Sequence, residues 1–90
     1  MTETNDKLNK TTIENLLNLI IMKGEYSNMT TNEQKTFKTI EKEFFNSFDK
    51  LKLTFKQQNS MFMILGDYAD NHQTMSLNKS INQCLNIMRD

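Results

Sequence analysis

One stripe of apolar residues limits what this chain can fold into more than any other feature. Phe37, Ile40, Phe44, Phe48, Leu51, Phe55 and Phe62 fall on a single line, and Phe37 to Phe48, Phe44 to Phe55 and Leu51 to Phe62 are each eleven residues apart. Eleven residues in three turns is close to the period of a straight α-helix. The chain has no proline, and its two glycines stand at 24 and 66, so no strong breaker interrupts the stripe. A continuous helix from Asn32 to Leu65 would be on the order of 50 Å long. The near absence of Gly and Pro also removes the turns a sheet protein needs, and valine is missing altogether. The expected fold class is all-α: a small helical bundle built on a long central helix with shorter helices packed along it.

Local signals set the expected boundaries. Residues 1–10 (MTETNDKLNK) read as a flexible polar N-terminus, followed by a single helical domain over 11–90. Thr11-x-x-Glu14 has capping-box spacing, and Ile13, Leu16, Leu17, Ile20 and Ile21 build one face of a helix ending near Lys23, with Gly24 suited to a left-handed cap. Thr31-x-x-Gln34, or Thr30-x-x-Glu33 one residue earlier, opens the long helix. That helix should reach residue 70, with a break near 57–60, where Ser60 could cap a third helix, or at Gly66. Asn71 is placed to end it, and Ser76 to cap a last helix over 76–89. The expected core is Leu17, Ile20, Phe37, Ile40, Phe44, Phe48, Leu51, Phe55, Leu77, Ile81 and Leu85.

The chemistry is sparse. His72 is the only histidine, and Asp67 and Asp70 do not share its helical face, so no metal site or cofactor is expected. Cys84, the single cysteine, excludes an internal disulfide and lies on the apolar face of the last helix, where a thiol behaves as a small hydrophobe. No serine sits in a nucleophile elbow and neither glycine begins a phosphate loop, so no enzyme activity is expected. Eleven basic residues balance eleven acidic ones, which gives no global pull toward nucleic acid or an anionic membrane. The longest apolar run, Met61 to Leu65, is too short to span a bilayer, and the N-terminus lacks a signal-peptide core. The expected location is cytoplasmic. Abundant Asn, Lys, Ile and Phe beside one Ala and one Arg match the codons of an AT-rich genome, such as that of a phage or other mobile element.

Two surfaces remain as functional candidates. Phe45, Leu53, Met61, Met63 and Ile64 point away from the stripe of a continuous helix or belong to a run that is apolar all round. Surplus of this kind is covered by self-association or by another protein, making a homodimer or higher oligomer. Lys35, Lys38, Lys42, Lys52 and Lys56 would form a ridge on the same helix that could track phosphates or hold an anionic ligand between protomers. Arginine is absent from it, so nucleic acid is the less favoured partner. The expected function is a non-enzymatic interaction module, oligomeric, that regulates or inhibits a macromolecular partner. A small DNA- or RNA-binding regulator is the alternative.

Overall fold

A computed structural model describes residues 2–89, with side chains from 7 to 89. Every regular element among them is helical: α1 (Thr2–Gly24), a 3₁₀ turn (Tyr26–Asn28), α2 (Thr31–Asp49), α3 (Phe55–Asp70) and α4 (Leu77–Arg89). The all-α class holds, but the long helix is the first. At 23 residues α1 is the longest element, and α2, α3 and α4 each pack against it. Its start at Thr2 lies upstream of the expected boundary near residue 11. The expected cap at Thr11 is not formed, because the Thr11 hydroxyl donates to the Lys7 carbonyl one turn back (3.1 Å).

The expected central helix over 31–70 is two helices, and the break falls at Lys50–Thr54, not near 57–60 or at Gly66. Thr54 causes it. Its hydroxyl accepts the Gln57 backbone N–H (3.1 Å), while the Gln57 side chain accepts the Thr54 N–H (2.8 Å). This reciprocal cap starts a new helix and is worth about 1 kcal/mol. No glycine is available for the reversal, so Lys52 takes the left-handed conformation (φ 56°), at a cost of about 1–2 kcal/mol. Folding back offsets that cost by sealing Met61 and Leu65 completely in the core.

The other ends are mixed. The capping box that opens α2 is the alternative pair, Thr30 and Glu33, and not Thr31 with Gln34, since Thr31 is already the first helical residue; Ser76 caps α4 through the Lys79 N–H (3.3 Å). Neither glycine has positive φ, so Gly24 does not form the left-handed cap expected of it. Asn71 does end α3, but at φ −127°, with its side-chain amide donating to the Asp67 carbonyl.

The core gathers Ile13, Leu16 and Leu17 of α1, Phe48 of α2, Met61 and Leu65 of α3, and Ile81, Cys84 and Leu85 of α4. Gln57 ties α3 to α4 by donating its amide to the Ile87 carbonyl (2.9 Å), one of the last-turn carbonyls that α4 cannot satisfy itself. Leu17, Phe37, Phe48, Ile81 and Leu85 are buried as expected. Ile20 and Phe44 are half-buried. Ile40, Leu51, Leu77 and Phe55 are exposed, and Phe55 is the extreme at 79%. The break explains Phe55: as the first residue of α3 it no longer shares a face with Phe44 and Phe48.

Candidate interaction groove

The same break redistributes both surfaces expected from the sequence. Met61 is fully buried, and Phe45, Leu53 and Ile64 are half-buried against the core. Only Met63 of that set stands in solvent, at 70% exposure. These residues therefore do not form the contiguous exposed patch that a straight helix would have presented. The lysine ridge is divided as well. Lys35, Lys38 and Lys42 lie exposed on α2, Lys52 is in the break, and Lys56 is in the first turn of α3. Lys38 caps the Tyr26 ring at 5.8 Å, a cation–π contact that supports the turn after α1.

What the structure leaves open lies between α1 and α2. A connection of six residues makes these helices antiparallel neighbours. Lys23 and Glu41 form an ion pair across them (3.8 Å). On one side of their contact runs a groove of about 670 Å³. Its apolar lining is Leu19 and Met22 from α1, with Ile40, Phe44, Phe48 and Leu51 from α2 and the residues just after it. Thr12, Asn15, Asn18, Ser47 and Glu43 form the polar lining, and only Glu43 among them carries a charge.

A cluster of rings makes the floor rigid. Phe48 is stacked on Phe44 (5.5 Å between centroids, 21°) and meets Phe45 edge-on (5.9 Å). Phe45 and Phe48 each reach Phe62 of α3 at 6.5 Å, which fastens the C-terminal half of α2 to the rest of the molecule. Above this floor Ile40 and Leu51 remain 42% and 41% exposed. Smaller hollows flank the same helix pair, one of about 310 Å³ beside Phe45 and Phe62 and one of about 290 Å³ beside Met29 and Phe37.

Leu19, Met22, Asn15 and Asn18 were not singled out as a surface in the sequence. The legible signal was the i, i+3 pair Leu19 and Met22, which widens the apolar arc of α1 beyond the face led by Ile13 and Leu17. Elsewhere the chemistry is quiet. Burial pushes the Cys84 thiol up to about 11, so it is protonated and a poor nucleophile at neutral pH. Asp70 to Thr74 surround a polar hollow beside His72. No group of three or more metal-ligating side chains occurs among the described residues. No helix among them is long and apolar enough to cross a membrane. Comparison with protein-family models, with curated proteins and with solved structures finds no match for this chain.

Proposed function

We propose that this chain is a non-enzymatic interaction module that docks a helical segment of a protein in the α1–α2 groove, and that it regulates or inhibits a macromolecule by doing so. One observation carries the reading: Ile40 and Leu51, members of the strongest apolar stripe in the sequence, stand more than 40% exposed over an aromatic floor. An amphipathic helix laid in such a groove buries its apolar face against residues like these. The lysines on α2 point to the opposite side of that helix, and two of the five expected members of the ridge lie outside it, so phosphate tracking is the weaker reading.

Photocrosslinking tests the proposal. A benzophenone side chain at position 40 should form protein adducts, while one at position 46, on the outer side of α2, should not. Equal labelling at the two positions, or none at 40, would refute the groove as the docking site. Binding to duplex DNA or RNA that weakens tenfold or more between 50 and 200 mM salt, and is lost in Lys35→Gln/Lys38→Gln/Lys42→Gln, would replace this reading with the nucleic-acid one.

A further inference from the structure

We infer that the turn between α2 and α3 is a separate contact surface, which seats Phe55 at the headgroup boundary of an anionic lipid bilayer with Lys50, Lys52 and Lys56 on the surrounding phosphates. These four residues lie outside the α1–α2 groove, so the inference does not rest on the docking reading.

The chain is neutral overall, but its charges are unevenly placed. Between Glu43 and Asp67 it has one acid, Asp49, against Lys50, Lys52 and Lys56. All three lysines are exposed, and they bracket Phe55, which at 79% is the most exposed large apolar side chain among the described residues. Leu51 adds a second open apolar group, at 41%. Only Leu53 turns inward and packs on the core. A bare aromatic ring among lysines is the pairing that an anionic membrane surface takes up: the ring enters the acyl boundary, and the lysine stems lie beside it with their ammonium groups at the phosphates.

The hydrogen bonds of the turn favour a bilayer over a nucleic acid. Thr54 and Gln57 are spent on their reciprocal cap, the Gln57 amide also donates to the Ile87 carbonyl, and the Gln58 amide donates to the Leu53 carbonyl (3.0 Å). What faces outward is apolar bulk and point positive charge, without the arginines or free amides that read bases. The backbone is prepared as well. The N–H groups of Lys50, Leu51 and Lys52 donate to the Ser47, Phe48 and Asp49 carbonyls (3.2, 3.0 and 3.2 Å), which lowers the cost of meeting an apolar boundary. Lys52 points the same way. Its left-handed conformation (φ 56°) would be cheapest for glycine, yet the position carries a charge.

The chain has no tryptophan, so Phe55→Trp carries a unique fluorescent reporter. One ring and three lysines make a weak, reversible contact, so vesicles are titrated to about 5 mM lipid in about 20 mM salt, where screening is slight. Vesicles of about 30% phosphatidylserine in phosphatidylcholine should shift the emission to the blue by about 5 nm or more, and pure phosphatidylcholine should not. Adding Lys50→Gln/Lys52→Gln/Lys56→Gln should weaken binding about tenfold or more, at about fivefold per lysine. Adding Lys35→Gln/Lys42→Gln/Lys79→Gln, equal in charge but elsewhere on the surface, should change it less than about threefold. Without the reporter, co-sedimentation of Phe55→Ala with the anionic vesicles should be about fivefold weaker than that of wild type, with unchanged far-UV circular dichroism. Should the triple variant of the turn misfold, Lys56→Gln alone should still lose about fivefold. No blue shift on anionic vesicles, equal losses in the two triple variants, or Phe55→Ala binding like wild type would overturn the inference. A shift with an oligothymidylate of about 20 nucleotides and none with vesicles would overturn it in favour of single-stranded nucleic acid. Crosslinking from position 40 is independent of all these outcomes, so the groove and the turn fail separately.

Discussion

The helix α4 seals four of its 13 residues, Ser80, Ile81, Cys84 and Leu85, whereas α2 seals only Phe37 and Phe48 of its 19. Part of the difference is pattern, since α4 is the more apolar helix and the more sharply divided into apolar and polar faces. The rest is placement. The helix α4 lies against both α1 and α3, while α2 lies along α1 and meets α3 chiefly through Phe45, Phe48 and Phe62. A helix with a strong face and few neighbours is held by its own capping box, a few ring contacts and whatever else covers it. The comparison separates a helix packed between two neighbours from one that leans mainly on a single neighbour.

The largest expected effect tests where the two regions join. Phe48 is 2% exposed and touches Phe44, Phe45 and Phe62. Phe48→Ala should destabilise by about 3–5 kcal/mol in urea unfolding. Ile40→Ala, on the same stripe but open to the groove, should cost less than about 1 kcal/mol. Similar losses at both positions would mean that α2 is as fully packed as α4.

A second effect belongs to α4 alone. The thiol of Cys84 is sealed, and burial raises it from 9.0 to about 11. Unfolded chains then lose this proton first as pH rises, so the folded state binds more protons between the two values and loses stability across that window. The contribution is intact below pH 9 and amounts to a loss of about 1 kcal/mol by pH 10, from 1.36 kcal/mol per unit of displacement. Wild type should therefore lose that much more stability than Cys84→Ala between pH 8 and 10. Parallel pH profiles would mean that the thiol is accessible to water.

How much of this was legible in the sequence depends on which signal was louder. The helical class and the cap at Ser76 could be read, and the cap of α2 to within one residue, at Thr30 and not Thr31, because they rest on short spacings with a local mechanism. The break after Asp49 was also written, in Thr54-x-x-Gln57, with the same form as Thr30-x-x-Glu33. The eleven-residue stripe ran across it and outweighed it, and a positive φ at Lys52, with no glycine, left no mark in the sequence. One misplaced break then moved the candidate surface. With α3 folded back, Met61 became core and Phe55 became solvent-facing, while the real opening depends on how α1 and α2 lie together, which no single-helix pattern contains. Thr54→Ala tests this cause directly. It should cost about 1 kcal/mol, with lost hydrogen-exchange protection concentrated in the first turn of α3. A neutral Thr54→Ala would mean that burial of Met61 and Leu65, and not the cap, sets the break.

The smallest effect sharpens the comparison most, because it asks whether α2 unfolds with the rest. Gly66 lies inside α3 with ordinary helical φ and no atom within 4 Å of the position an added Cβ would take. Gly66→Ala should stabilise by about 0.5–1 kcal/mol, since alanine removes backbone entropy from the unfolded chain and meets nothing in the folded one. Thr39 is the matching site in α2: exposed, mid-helix, with its hydroxyl donating to the Lys35 carbonyl (3.1 Å). Thr39→Ala should strengthen its helix by about 0.5 kcal/mol. The two gains should surface differently. Residues in α3 open only when the whole core opens, so Gly66→Ala should raise the global unfolding midpoint. A loosely covered α2 opens locally at lower free energy, so Thr39→Ala should raise amide protection within α2 and leave the midpoint almost unchanged. Equal midpoint shifts for both variants would show that α2 is held as firmly as α3 and α4.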